Sequence, residues 1–276
     1  MNPVKEVNKY FGYANKFGLT PFKLYQRVSG ESYKYPKIFC VSIPKSGTHL
    51  IQRLLLMHPP IYRNFMRVLN NTTCKNIYDF KGFLKNVKNG QLVLSHTNFK
   101  REYYEYLCDN GFTVLFMIRD PRDILISEAH FVDARNDYPW RDLLLELSIN
   151  ERIEMLIKGS NLFWDIGKRL DDHSGWLKSE KVLTIRFEDL VGTDGGGNAD
   201  AQKKAIKGVF NHIGTKHTEF NTEKIVDGLF SKKTLTFRKG KINQWKDVYT
   251  TELKNTFKSV AGSQLIDYGY ENDFDW

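Results

Sequence analysis

The chain has 276 residues, enough to bury a sizeable core and few enough for one domain spanning 1–276. Its 41% hydrophobic, 26% charged and 14% aromatic residues exclude a disordered or fibrous protein. A formal charge of +9 points to an anionic partner, but Lys and Arg are scattered among Asp and Glu. That scatter argues against a dedicated nucleic-acid or membrane binder, and most of the charge reads as a solvated surface.

Cys40, Cys74 and Cys108 lie far apart with no CxxC or metal-ligand spacing, so neither a disulfide framework nor a zinc site is expected. A reducing, cytoplasmic setting fits them. The first residues lack the apolar core of a signal peptide, and no run of 18 apolar residues provides a membrane span.

In chain order, Val4, Val7 and Phe11 stand at helical spacing and precede an aromatic segment through Phe17, Phe22 and Tyr25. KIFCVSI (37–43) reads as a strand, and from Gly47 the periodicity turns helical until Pro59 and Pro60 stop it. QLVLSH (91–96) and FTVLFMIR (112–119) are further strands, each followed by a helical pattern, at 100–109 and 122–131. The alternation predicts an α/β fold, a central parallel sheet flanked by helices. Residues 142–172 read as helical throughout, as two helices meeting near Gly159, and KVLTIRF (181–187) adds a strand before an acidic turn at Glu188 and Asp189. GTDGGGNAD (192–200) has the composition of a flexible loop, with Asp200 or Asn198 capping a helix at about 201–213. Helices at 222–229 and 250–267 flank the basic segment TLTFRKGKINQW.

Three segments carry chemistry. Ile43-Pro44-Lys45-Ser46-Gly47-Thr48-His49 sits where a strand gives way to a helix, a turn that aims backbone N–H groups and the positive helix end at an anion. It looks like a P-loop-like phosphate-binding loop, though not a Walker A motif, because its lysine precedes the glycine; taken alone it reads as an ordinary β-to-α turn with a surface lysine. Arg119 closes the third strand and is followed by Asp120-Pro121-Arg122-Asp123 and then Ser127. In a parallel sheet Arg119 and Lys45 open onto the same crevice; the plainer alternative is that Arg119 pairs with Asp123. The third is Phe237-Arg238-Lys239-Gly240-Lys241 with Trp245-Lys246 behind it, where forked and point cations accompany a glycine that lets the backbone approach an anion. Each segment taken singly has a plain structural reading; their ordered combination is far more specific.

Together, PKSGTH (44–49), Arg119 with Ser127 eight residues on, and RKGKINQWK (238–246) resemble the sulfotransferases that use 3′-phosphoadenosine 5′-phosphosulfate (PAPS), in the soluble small-molecule branch and as a bacterial-like member. The resemblance spans roughly 37–250. It implies that Lys45, Ser46, Gly47, Thr48 and His49 hold the 5′-phosphosulfate and that Arg119, Ser127, Arg238, Lys239 and Gly240 surround the 3′-phosphate. Phe237 and Phe187 join the nucleotide site. His96, in Leu94-Ser95-His96, matches the family's general base. In-line displacement at sulfur then leaves 3′,5′-adenosine bisphosphate (PAP), with Lys45 neutralising the leaving oxygen and no metal required.

Departures accompany these matches. His49-Leu50 replaces the family's Thr-Trp, which leaves the adenine-stacking residue to Phe230 or Phe187. Leu94 stands where a lysine is common, and Asn243 where a glycine is expected. The family's dimerisation segment is matched only in part by 246–255, so a homodimer is undecided.

For the small-molecule acceptor, the resemblance implies a pocket from Phe17, Phe22 and Tyr25, from Tyr62, Phe65 and Met66, and from Phe131, Tyr138 and Trp140. That is an aromatic pocket suited to a flat molecule such as a phenol. The carboxylates Glu128, Asp133, Asp137 and Asp142 would instead favour a cationic natural product if they line the site, although each by itself reads as a solvated loop residue. Two rival functions are weighed. A nucleotide kinase would need its lysine after the glycines and carboxylates for Mg²⁺. A non-catalytic nucleotide-binding basic protein would have no use for a base at His96.

Overall fold

A computed structural model of the chain describes residues 34–63, 67–134, 136, 138–216, 220–230 and 240–276. The apolar run after Pro36 forms β1 (Lys37–Ser42), and its side chains divide with period two between two cores. Phe39 and Val41 enter one core and Ile38 and Cys40 the other, all fully buried. A strand covered on both faces explains why its sequence is continuously apolar instead of alternating.

Around it stand β2 (Leu92–Ser95), β3 (Phe112–Ile118) and β4 (Val182–Arg186), all parallel, in the order β2-β1-β3-β4. The chain leaves β1 towards β2 and returns to the opposite side for β3. The crevice between the carboxyl ends of β1 and β3 is therefore a topological switch point, where ligands of open α/β sheets bind. The register places Val41 opposite Ser95 and Phe116, and Ile118 opposite Arg186. The residues just beyond the strands (Ile43, His96, Arg119, Phe187) thus emerge along one edge.

Helix α1 (Thr48–Met57) follows β1, α2 (Ile77–Leu84) precedes β2, and α3 (Arg101–Asp109) and α4 (Pro121–Ala134) flank β3. The stretch 142–172, expected as two helices, forms α5 (Arg141–Leu145), α6 (Ile149–Lys158) and α7 (Ile166–Leu177). The first break is a capping box, Ser148 with Glu151, which starts a new helix inside an otherwise helical pattern. The second is Gly159 at φ 73°, followed by the Ser160–Phe163 bridge. Glu188 and Asp189, expected in a turn, lie in the short helix α8 (Phe187–Leu190).

Asn198 caps α9 (Ala199–His212), accepting from the Asp200 and Ala201 N–H groups. The glycine-rich loop before it, expected to be flexible, contains a 3₁₀ turn at Thr193–Gly195 packed against the basic segment. A Cβ on Gly195 would stand 2.6 Å from the Gly240 carbonyl oxygen, so close backbone contact accounts for this glycine. Then follow α10 (Thr222–Leu229), α11 (Trp245–Val248) and α12 (Thr251–Asp267). The three cysteines are free thiols, and burial raises that of Cys40 to about 12. Among the described residues no helix is long and apolar enough to cross a membrane.

Candidate active site

The turn from β1 to α1 has two residues in the left-handed region, Lys45 at φ 72° and Gly47 at φ 103°. That conformation is unusual for lysine, and such strain gathers where backbone groups must converge on one point. Here it precedes the first turn of α1, whose leading N–H groups have no intrahelical acceptor. The turn is held from beneath by Ser46: its hydroxyl donates to the Ile43 and Met117 carbonyls at 2.7 and 2.9 Å, and its N–H to Ile43 at 3.1 Å. Thr48 shares a 2.8 Å hydrogen bond with the Ser42 hydroxyl.

Beside this turn lies a cavity of about 330 Å³ lined by Lys45, Gly47, Thr48, His49, His96, Arg119, Ser127, Phe131, Phe187, Phe230 and Gly240 among others. His96 follows β2, and its N–H is tied to the Leu69 carbonyl at 2.7 Å. Its Nδ1 lies 2.7 Å from the carbonyl oxygen of Ser42. A carbonyl accepts only, so Nδ1 carries the proton and Nε2 keeps its lone pair. Burial lowers the pKa of His96 below its ordinary 6.5; the Ser42 bond opposes this and the Lys45 cation adds to it. The ring is thus a neutral base near pH 7.

Arg119, only 5% exposed, lies in the wall between the loop and the basic segment. Its Nη2 donates to the Lys241 carbonyl at 2.9 Å and stands 3.6 Å from Asp123, while its guanidinium rests 4.4 Å from the Phe187 ring centroid. The pairing with Asp123 foreseen as the plainer alternative is therefore present, together with an opening onto the cavity. Lys45 Nζ lies 3.3 Å from the ring centroid of Phe131 on α4.

A family model described as "Sulfotransferase domain" matches residues 35–194, more than half of the chain. The chain belongs to the sulfotransferase family. Sulfotransferase 4A1 of Homo sapiens is 23% identical over 241 residues, covering 83% of this chain and 80% of that protein. Its counterpart in Mus musculus is 22% identical with the same coverage. Among solved structures, mouse sulfotransferase SULT7A1 complexed with PAP aligns with a TM-score of 0.62 at 18% identity over 85% of each chain. Retinol dehydratase in complex with androsterone and inactive cofactor PAP aligns at 0.56, with 14% identity over 88% of this chain and 85% of that one. The expected fold and enzyme class, a PAPS-dependent sulfotransferase, are borne out.

In this sulfotransferase the sheet edge gathers most of the expected site residues that are among the described residues, but not all. Ser46 does not line the cavity; its polar groups shape the loop from below. Tyr62 is buried in a bridge to Gln91 beside β2. Asp133 pairs with Arg152 at 2.7 Å, Asp142 lies on the surface beside Arg141, and Trp140 packs on Phe163. Of the four carboxylates expected near the acceptor, Glu128 reaches the cavity. It accepts from the Tyr138 hydroxyl at 2.6 Å and pairs with Arg169 at 2.9 Å. Phe17, Phe22, Tyr25, Phe65, Met66, Asp137, Phe237, Arg238 and Lys239, like the helix expected at Val4–Phe11, lie outside the described residues. Arg53, which the sequence reading missed, also lines the cavity and was signalled by its place one turn beyond His49 on α1.

The loop's dependence on Gly47 is testable. A Cβ there would stand 2.6 Å from the Phe187 ring in a backbone conformation that L side chains disfavour. Gly47→Ala is expected to destabilise the protein by on the order of 2 kcal/mol, checked by urea denaturation. An unchanged midpoint would mean that the turn relaxes freely.

Proposed function

We propose that this sulfotransferase moves the sulfuryl group of PAPS to a hydroxyl or amine of a small, flat acceptor, with His96 as general base and Lys45 on the leaving group. The observation that carries this reading is the His96 tautomer: Nδ1 is occupied by Ser42, so Nε2 alone can take a proton in the cavity that Lys45 shares. The residues present fit a doubly anionic nucleotide, for they supply the cations Lys45, Arg53 and Arg119, the hydroxyls of Thr48 and Ser127 and the amides of a helix start. One Arg119 nitrogen, Nε, is moreover buried without a hydrogen-bond partner among the described residues.

Thr48 and the loop amides would hold the 5′-phosphate, and Arg119 with Ser127 the 3′-phosphate, joined by Arg238, Lys239 and Gly240. Phe230 offers a ring for adenine, while Phe187 already bears the Arg119 guanidinium. The donor supplies an electrophilic sulfur and a good leaving group. His96 Nε2 takes the acceptor proton as the new bond to sulfur forms. Lys45 neutralises the charge that the old S–O bond leaves on the bridging oxygen as PAP departs. No step calls on a metal, and the scheme operates in the cytoplasm or in any compartment that contains PAPS. The PAP in the two solved relatives supports the donor assignment.

On the acceptor side, Phe131 and Tyr138 support an aromatic substrate. Glu128 is already neutralised by Arg169, which favours a neutral phenol over the cationic natural product.

The test is transfer of labelled sulfate from PAPS to a panel of matched neutral and cationic phenols and amines, with and without EDTA. Transfer unaffected by EDTA and faster for neutral phenols is expected, with PAP bound more tightly than AMP in calorimetry. No transfer to any acceptor, or AMP bound as tightly as PAP, would refute the donor assignment. Faster transfer to the cationic members would return Glu128 to the role of acceptor anchor.

A further inference from the structure

We propose that Trp276 and Glu271 are positioning residues for the donor site, holding Arg122 and, through it, the Gly240–Trp245 segment against Arg119. The inference rests on the donor reading above, in which Arg119 and this segment serve the 3′-phosphate.

Arg122 is the puzzle that leads here. It stands in the first turn of α4, three residues after Arg119, yet it does not line the cavity and is 2% exposed. A guanidinium is rarely taken out of water without full pairing. This one is held by two carboxylates and two rings. Nε and Nη2 donate to the two oxygens of Asp120 at 3.0 and 2.8 Å, and Nη1 meets Glu271 at 2.6 Å. Two indole rings close on it, Trp245 at 3.5 Å and Trp276 at 4.4 Å from centroid to Cζ. The rings touch each other edge to face at 5.5 Å, and Trp276 also packs on Phe257 of α12.

What this assembly fixes is the far end of the basic segment. The backbone N–H of Trp245 donates to Asp123 at 3.0 Å, and the other oxygen of the fully buried Asp123 lies 3.6 Å from Arg119. Arg119 in turn donates to the Lys241 carbonyl. The Ile242 N–H is bound to Gly195 at 3.0 Å, and Gly240 lines the cavity. A continuous line of contacts therefore runs from Trp276 and Glu271 through Arg122 and Trp245 to Asp123, Arg119 and Lys241. Loss of the outer ring opens Arg122 to water and loosens Trp245, so the effect should fall on the 3′-phosphate end of the nucleotide and spare the 5′-phosphate loop.

The experiment is calorimetry of PAP and AMP binding to the full chain as wild type, Trp276→Ala, Trp276→Phe, Glu271→Gln and Arg119→Met. The preference for PAP over AMP is expected to fall about tenfold in Trp276→Ala and about threefold in Glu271→Gln, with AMP binding unchanged. Trp276→Phe, which keeps a ring on Arg122, is expected to restore most of it. A merely structural role would weaken both nucleotides together; that result, or an unchanged preference while Arg119→Met loses it, overturns the inference and leaves the donor reading intact. An unchanged preference in Arg119→Met overturns the donor reading itself and the inference with it. Should Trp276→Ala fail to fold, Glu271→Gln decides by the same ratio.

Discussion

Replacing His96 with alanine is expected to lower kcat by about 10³-fold while leaving PAP affinity within about twofold of wild type, since the base acts on the acceptor and not on the donor. The effect is large because the Ser42 carbonyl fixes a single tautomer, with Nε2 left to take the proton. His49, which also lines the cavity, is the next candidate, followed by His130. An active His96→Ala enzyme would transfer the role to one of these.

The pH dependence follows with its sign. The proposed base His96 would work in the neutral form, so kcat/KM should hold from alkaline pH down through neutrality and fall as the ring protonates. Burial and the nearby Lys45 place that fall below the ordinary 6.5. Donor binding should move the other way, with donor KM falling on acidification. Burial holds Asp123 up to about 6 and Glu188 up to about 7. Their protonation on acidification removes negative charge beside Arg119 and strengthens its hold on an anion. Kinetics at varied donor concentration separate the two trends; an acid limb in kcat/KM that persists in His96→Ala would assign it to another group.

Lys45→Ala should reduce kcat by about 10²–10³-fold with a much smaller change in donor KM, because the ammonium is required most when charge develops on the departing oxygen. Single-turnover measurement with saturating PAPS checks this directly. A loss confined to KM would mean that Lys45 only binds the donor. Phe131, whose ring centroid is 3.3 Å from Nζ, is a neighbour through which a milder variant of the same defect could be produced.

The positions of the four strands and the sheet edge were legible in the sequence, because a strand buried on both faces must be apolar throughout. Parallel strands then bring the residues after each run to one edge. Lys45, His96, Arg119 and Phe187 meet for that reason. The break at Ser148 was not read from the sequence, because the helical periodicity runs on through it, although the Ser148–Glu151 spacing carries a capping-box signal. Other features depended on orientation, which local pattern does not carry. Ser46 sits inside the phosphate-loop motif, yet its hydroxyl turns to Ile43 and Met117, a choice made by β3 lying beneath the loop. Asp133 follows Phe131 by two residues, about 200° round α4 at 3.6 residues per turn, and so faces Arg152 instead of the acceptor. Tyr62 was drawn into a bridge with Gln91 because the end of β2 leaves backbone groups that need partners. The sequence by itself determined the α/β order, the strand-to-helix turn at Lys45–Gly47 and the family. Only the tertiary structure decided which charges face the cavity and how Trp276 comes to cover Arg122. Contacts between residues so far apart along the chain are set by the packing of whole elements, not by any spacing within them.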